Sequence, residues 1–343
     1  MSSNSTAECI LWPNNPERCT TVLVIQKIFA GLSLIGCLFV LFVIIVLKKY
    51  KAFVQKLILA LVVSATLHSI SYLVGNVYTE SGPACRFQGV IMQYSDWSTL
   101  LWVLVIALNL LLVVLGKNKE KYLYWFHGFV WLTALFWTII PFFGDNYGPA
   151  GIWCWIKRDS TYFRFGVWYI PLFLIVFAML IIYIYIIYNV IQATRQRSGG
   201  NTDEDLRRSR SYRHELKPLL GYPLIYIVFY TPALIYRIED ASNRDQPTRF
   251  SLAVLIAILV PSIGVANALF FAVFNATVKE LTWTRIKQAV IRLFIKEPTQ
   301  IIHENYSVYD PSVAEKSGNT LELSSGYVSS NVITSPTLET YSP

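Results

Sequence analysis

Seven long blocks of apolar residues dominate this sequence. The hydrocarbon core of a bilayer is about 30 Å thick and takes about 20 helical residues to cross. The blocks are residues 21–47, 54–78, 85–115, 122–143, 163–191, 216–238 and 250–274. With 54% hydrophobic and 15% charged residues, the composition lies well away from that of water-soluble domains. We therefore predict an all-α membrane protein, a bundle of seven transmembrane helices formed by residues 21–277.

Prolines inside three of the blocks predict bent helices. A proline within a helix frees a backbone carbonyl, and neighbouring helices of a bundle can compensate for the lost hydrogen bond. The prolines concerned are Pro171, Pro223, Pro232 and Pro261.

The cations of the short connecting segments predict the orientation in the membrane, because Lys and Arg are retained on the cytoplasmic side. They cluster after the first, third and fifth blocks: Lys48, Lys49, Lys51, Lys56, Lys117, Lys119, Lys121, Arg195, Arg197, Arg207, Arg208, Arg210, Arg213 and Lys217. We expect a multi-pass protein of the plasma membrane without a cleaved signal peptide. The tail of residues 1–20 is then extracellular, where Asn4 of Asn4-Ser5-Thr6 is a glycosylation acceptor.

Two cysteines face the oxidising side in this topology. Cys85 opens the third block and Cys154 lies between the fourth and fifth, so we expect them to form a disulfide bond. Cys9 and Cys19 could form a second bridge in the tail, or remain free. Cys37 lies in the middle of the first block and is predicted to be a packing residue.

The segment after the seventh block predicts an amphipathic eighth helix. In residues 278–297 the apolar side chains share one face and the cations the other, which suits a helix lying against membrane lipids. Residues 298–343 are polar and rich in Ser, Thr and Tyr, so we expect a disordered cytoplasmic tail. Phosphorylation there would create a docking site for an arrestin-type protein.

Several functions of seven-helix proteins lack their required residues. The seventh block has no lysine to carry retinal, and His214-Glu215 is not followed by the second histidine of a zinc-protease motif. We expect no enzyme activity, cofactor, metal site or nucleic acid partner. A receptor fits best, while a ligand-independent membrane scaffold and a small transporter remain alternatives.

Two motifs carry a resemblance to a known family. They are Ile152-Trp153-Cys154-Trp155-Ile156 and, after it, Phe163-Arg164-Phe165-Gly166, followed by Pro171-Leu172-Phe173. In this order they resemble the cyclic-AMP-receptor family of slime moulds and its animal and fungal relatives. The resemblance covers the seven-helix core and implies a G-protein-coupled receptor that binds a small extracellular ligand and activates a heterotrimeric G protein.

Cations at the predicted outer mouth suggest an anionic ligand. Arg164 and Arg237 match arginines of the family motifs, Lys157 lies nearby, and arginine presents a planar fork of donors that suits phosphate or carboxylate. Alternatively, Arg237 pairs with Glu239 or Asp240 and the other cations are solvated.

Two ionisable residues lie within the predicted membrane spans, and two tryptophans lie in the predicted outer loop. Asp96 and His68 lie at a similar depth, roughly 15 Å below the outer surface at about 1.5 Å per residue, and could meet. They either contact ligand or form a polar pair that holds two helices together. Asn109 and Asn267 could extend the pair into a network. We expect Trp153 and Trp155 to be interfacial anchors.

On the opposite side of the membrane we expect contacts with the G protein. The candidates are Lys117, Lys119, Arg213 and Lys217. These cations could instead serve only to orient the chain in the membrane. Outward motion of the sixth helix is the expected switch.

Overall fold

The computed structural model describes residues 12, 14–75, 82–115, 117, 120–150, 153–196, 221–236, 239, 249–274 and 278. Helices and two short strands follow one another in this part of the chain. They are α1 (Pro16–Val46), α2 (Phe53–Val74), α3 (Pro83–Val114), α4 (Leu123–Ile139), β1 (Tyr147–Pro149), β2 (Cys154–Ile156), α5 (Thr161–Arg164, a π-helical segment Phe165–Tyr169, and Ile170–Gln196), α6 (Gly221–Tyr236) and α7 (Phe250–Leu259 and Ile263–Phe274).

The helices form the predicted seven-helix membrane bundle. Helices α1, α2, α3 and α5 are each long and apolar enough to cross a membrane. The same holds for α4 together with the 3-10 turn Ile140–Phe142 that follows it, and for the two halves of α7 together. Within the described residues α6 is shorter, and the residues predicted to extend it, 216–220 and 237–238, lie outside them.

The first helix begins earlier than predicted. α1 starts at Pro16, inside the segment predicted to be an extracellular tail of residues 1–20. Proline is well suited to the first turn of a helix, because its missing N–H needs no partner there. Glu17 adds a negative charge near the positive end of the helix dipole. These two local effects extend α1 beyond the apolar block from which its start was predicted.

Proline bends the last helix, as the sequence predicted. The two halves of α7 meet at 45° around Pro261. Proline cannot donate a backbone hydrogen bond to the preceding turn. At the break the N–H of Ser262 donates to the carbonyl of Leu259, and the Ser262 hydroxyl donates to the carbonyl of Ile258. In α5 the π-helical segment Phe165–Tyr169 ends just before Pro171. Irregular winding therefore accompanies both prolines.

The third helix lies at the centre of the bundle. α3 packs against α2, α4, α5 and β2, and it carries the largest run of buried side chains. Trp97 and Trp102 are fully buried on it. By contrast, α4 and α5 expose many large apolar side chains, among them Leu132 and Phe177, as is expected for helices that face lipid.

Small residues let α1 and α7 approach closely. A Cβ atom at Gly264 would collide with Ser33 Oγ and Cys37 Sγ, and one at Gly36 would lie 3.0 Å from Ala268 Cβ. The Ser33 hydroxyl accepts a hydrogen bond of 3.2 Å from the backbone N–H of Val265. Close backbone approach through small side chains is a common way of joining helices in a membrane. Cys37 is free and buried here, as predicted for a packing residue.

Some predictions fall outside the described residues. This holds for Asn4, for the disordered tail of residues 298–343, and for the amphipathic helix of residues 278–297 apart from Val278, which is helical. These remain predictions.

The close contact between α1 and α7 predicts the effect of adding one methyl group. Gly264→Ala should lower the free energy of unfolding by about 1–3 kcal/mol, because the new Cβ has no room. Gly31→Ala is the matched control, since α1 has open space around Gly31. The thermal midpoint of the purified protein in detergent measures both. Equal midpoints for the two variants would show that the contact tolerates a methyl group.

Candidate ligand-binding site

A disulfide bond ties the loop between α4 and α5 to the first turn of α3. It joins Cys85 to Cys154, whose Cα atoms are 5.2 Å apart, and confirms the predicted pairing. We call the end of the bundle that carries this bond the loop end. Cys19 is also disulfide-bonded, whereas Cys9, its predicted partner, lies outside the described residues.

The tethered loop forms a small hairpin that lies on α3. β1 and β2 pair antiparallel, with Gly148 opposite Trp155. A Cβ at Gly89 of α3 would lie 3.3 Å from the Trp155 Cα, so this glycine lets the hairpin approach. The amide oxygen of Gln88 accepts a bond of 3.3 Å from the Cys154 N–H, and that of Gln93 accepts one of 2.5 Å from the Trp155 indole. The hairpin therefore closes over one end of the bundle.

Trp155 is a core residue, which corrects its predicted role as an interfacial anchor. Its side chain is buried, and its ring contacts those of Trp168 and Tyr169. The reason is the register of β2, whose three residues are all buried between the hairpin and the helices. Trp153 is partly buried and packs edge to face against Tyr72 of α2.

Arg164 supports the same loop from within. We expected its head group to face water at an anion site, but its side chain is only 4% exposed. Its Nε and Nη2 donate bonds of 3.0 and 2.7 Å to the carbonyl oxygen of Ile156, and its guanidinium lies 5.5 Å from the centre of the Trp155 ring. The planar fork thus holds a strand end rather than facing solvent.

Lys157 takes part in an exposed ion-pair group. Its Nζ and Arg86 Nη2 each lie 3.0 Å from a different carboxylate oxygen of Asp145. The hydrogen bond from Lys157, helped by the charges of Arg86 and Lys157, lowers the pKa of Asp145. Its contribution to stability is therefore present at neutral pH and is lost as the pH falls through this lowered pKa. Two cations at this end already have an anionic partner.

A cavity lies beneath the hairpin, between α2, α3, α5, α6 and α7. It measures about 60 Å³, whereas one water needs roughly 10–15 Å³. Seven of its fourteen described lining residues are Trp or Tyr. These are Tyr72, Trp153, Trp155, Trp168, Tyr169, Tyr230 and Tyr236. We call this space, with Asp96 on its wall, the aromatic pocket.

The predicted meeting of His68 and Asp96 is confirmed at the wall of this pocket. His68 Nε2 lies 2.9 Å from Asp96 Oδ1, although it makes no aligned hydrogen bond with any described residue. The Tyr230 hydroxyl donates a bond of 3.2 Å to the same oxygen. Both ionisable side chains are buried, and a buried carboxylate is costly unless it is paired.

The predicted extension of this pair into a polar network is not found. Both side-chain polar atoms of Asn109, and the amide nitrogen of Asn267, are buried without a hydrogen-bond partner among the described residues. Asn109 lies more than three turns along α3 from Asp96, too far for direct contact.

The remaining predicted site residues are only partly described. Lys117 is exposed at the end of α3 opposite the loop end, while Lys119, Arg213, Lys217 and Arg237 lie outside the described residues. Glu239, one predicted partner of Arg237, instead lies 2.8 Å from Arg249 Nε.

A row of buried tyrosines on α6 was not identified from the sequence. Tyr222, Tyr226 and Tyr230 recur at every fourth position, so they share one helical face, and all three are buried. The rings of Tyr226 and Tyr230 stack with centroids 4.1 Å apart. The four-residue spacing was visible in the sequence and could have identified this face as the one turned inward.

A family model describes most of the chain. Residues 14–317 match the model of the slime mold cyclic AMP receptor. This range includes the seven helices, the hairpin and the aromatic pocket.

Individual relatives come from several kingdoms. "Cyclic AMP receptor-like protein A" of Dictyostelium discoideum is 26% identical over 71% of this chain and 61% of its own length. The chain thus spans less than two thirds of that relative. "G-protein coupled receptor 1" of Arabidopsis thaliana is 28% identical over 75% of this chain and 79% of its own length. An ascaroside receptor of Arthrobotrys oligospora is 28% identical over 49% of this chain and 45% of its own length.

A solved structure shares the fold. The crystal structure of squid rhodopsin superimposes with a TM-score of 0.59 and 16% sequence identity, covering 80% of this chain and 86% of that one. This similarity supports the seven-helix architecture. It carries no information about a ligand.

The contacts of Arg164 predict a structural effect of its removal. Arg164→Ala should lower the free energy of unfolding by about 1.5–3 kcal/mol, because it removes charge-assisted hydrogen bonds to a buried carbonyl. Arg86→Ala is the control at the same end, where the exposed ion pair with Asp145 contributes little to stability. Thermal midpoints of the purified variants measure both effects. If Arg164→Ala is no more destabilising than Arg86→Ala, then Arg164 does not stabilise the loop.

Proposed function

The chain belongs to the slime mold cyclic AMP receptor family, and on this premise we propose that it binds a small extracellular ligand and activates a heterotrimeric G protein. The family consists of G-protein-coupled receptors, and the chain has their seven-helix fold. The relatives are receptors and not enzymes. The ligand and the coupling to a G protein are the parts that we propose.

The aromatic pocket is the observation that supports ligand binding best. It combines aromatic walls with a few convergent polar groups, which is typical of small-molecule sites. Five helices and the hairpin contribute to it, so a bound ligand would contact every part of the bundle except α1 and α4. A site shared by so many helices is well placed to change how they pack.

The distribution of charge supports the orientation that we propose. Lys49 and Lys51 follow α1, and Lys117 and Lys121 lie between α3 and α4, all at the end opposite the disulfide bond. Cations favour the cytoplasm and disulfides the extracellular side, so the two signals agree. We place the loop end and the N-terminus outside a plasma membrane, and we expect Asn4 to be glycosylated.

The relatives' names suggest small ligands of different kinds. They include receptors for cyclic AMP and for ascarosides. Cyclic AMP is an anion, and of the cations expected to bind one, Arg164 holds Ile156 and Lys157 lies against Asp145. An anion site would now depend on Arg237, outside the described residues. We therefore do not carry cyclic AMP over to this chain.

The sixth helix is the element that we expect to move. α6 contacts the pocket through Tyr230, which also bonds to Asp96 of α3. A ligand that competes for Asp96 would change this link between α3 and α6. The opposite ends of both helices would then separate and open a surface for the G protein. We further propose that residues 278–297 lie against membrane lipids and that an arrestin-type protein binds the phosphorylated tail.

Nucleotide exchange tests the proposed coupling. The purified full chain in lipid nanodiscs should accelerate nucleotide exchange on at least one member of a panel of purified heterotrimeric G proteins. Arg213→Ala combined with Lys217→Ala should reduce the rate, since both cations are proposed to contact the G protein. Arg86→Ala changes a cation at the loop end and is the control.

Two results would count against this function. Absence of exchange with every G protein, both without ligand and with a panel of nucleotides, sugars and organic acids, would favour the scaffold or the transporter. Uptake of solute into proteoliposomes would distinguish these two. Unchanged exchange in the double variant would assign Arg213 and Lys217 to membrane orientation alone.

Removal of the tail tests the proposed arrestin-type partner. A chain ending after Pro298 should retain nucleotide exchange and lose internalisation, because the hydroxyl groups of the tail that could be phosphorylated are gone. Counting receptors at the cell surface over time measures internalisation. Internalisation that continues in the shortened chain would exclude the tail as the docking site.

A further inference from the structure

We infer that the aromatic pocket binds a compact cationic head group, an ammonium of the choline type. The inference rests on the proposed receptor function for its biological meaning, but it concerns binding alone. It reverses the charge of the ligand expected from the sequence.

The walls of the pocket favour a cation. Half of its described lining residues are Trp or Tyr, and the face of an aromatic ring attracts a positive charge. The rings of Tyr72 and Trp153 meet edge to face, as do those of Trp155 and Trp168. The lining rings are therefore set at steep angles to one another and do not form one flat stack.

The carboxylate supplies the opposite charge. Asp96 is the only charged residue among the described lining residues, and it is 8% exposed. Its described contacts, with His68 and Tyr230, both involve Oδ1. Asp96 lines the cavity, and a carboxylate can accept further bonds at its second oxygen. Tyr230 is a neutral donor and His68 carries a positive charge only when it is protonated, so beside a neutral His68 a cation in the cavity would compensate for burying Asp96.

An anion would find little support in the same space. No Lys or Arg is among the described lining residues, and the buried carboxylate would repel it. Arg164 is not among the lining residues: it donates to the Ile156 carbonyl, and its guanidinium lies against the ring of Trp155, which does line the pocket. The case for an anion would require a protonated His68 as its partner, and this alternative predicts a different response to mutation.

The size of the cavity limits the head group. About 60 Å³ is several times the space of one water. A quaternary ammonium with its methyl groups is a compact group of this kind, and its methyl groups suit aromatic walls. Ammonium groups in aromatic cages are a known mode of recognition.

The binding test compares a cation with its neutral isostere. Choline and 3,3-dimethylbutan-1-ol have the same shape and differ in the charge of one atom. Their binding to the purified full chain in nanodiscs is measured by calorimetry. We expect choline to bind at least about ten-fold more tightly, because only choline interacts with Asp96 and the ring faces. Equal affinities, or no binding of choline, would overturn the inference.

Variants identify the site. Asp96→Asn should weaken choline binding about ten-fold or more, whereas Asp159→Asn, which removes an exposed carboxylate of the loop between α4 and α5, should not. His68→Gln should leave choline binding intact or strengthen it, while loss of binding would support the alternative that His68 carries the recognition. Trp153→Leu alters a partly exposed wall and should weaken binding of choline more than that of the alcohol.

Folding and function are controlled separately. The thermal midpoint of each unliganded variant shows whether it is folded. If Asp96→Asn does not fold, choline binding by Trp153→Leu shows whether the aromatic pocket is the site. Choline binding without nucleotide exchange would leave the inference standing and contradict the receptor function. Nucleotide exchange without choline binding would support the receptor function and overturn the inference of a cation site.

Discussion

Backbone N–H and C=O groups inside the hydrocarbon layer have no water to bond with, so each must find a partner within the protein. This constraint explains why the described membrane-spanning elements are all helices. It also explains where the helices are irregular. The bend of α7 and the π-helical segment of α5 both border the aromatic pocket, to which Val260 and Tyr169 contribute. Irregular backbone is tolerated where it lines a cavity, and here it shapes one.

The pocket depends on α3 more than on any other helix. At the loop end α3 holds the hairpin through the disulfide bond, Gln88 and Gln93, and further along it places Asp96 beside the cavity. Arg164 holds the far end of β2 from α5. The hairpin is thereby anchored on two helices. On our proposal, Asp96 links this anchored region to α6, because its bond with Tyr230 joins the pocket to the row of tyrosines that leads away from it.

The sequence predicted the architecture because apolar length and proline position act locally. The helices, the bend at Pro261 and the bond between Cys85 and Cys154 follow from such signals. The meeting of His68 and Asp96 followed from equal depth in the membrane. The contacts of Arg164 did not follow, because an arginine looks the same in the sequence whether it faces a ligand or a carbonyl. Only the packing of β2 against α5 shows that Arg164 is occupied by Ile156.

We propose that the bundle opens between α3 and α6 to accept a G protein, and the distance between the ends of these two helices shows whether it does. Leu115 and Leu224 are exposed near the ends of these helices opposite the disulfide bond. Spin labels on Leu115→Cys and Leu224→Cys, in the full chain in nanodiscs, report the separation by pulsed dipolar spectroscopy. We expect a longer distance between the two labels when nucleotide-free G protein is added. An unchanged distance distribution at saturating G protein would show that the helices do not separate.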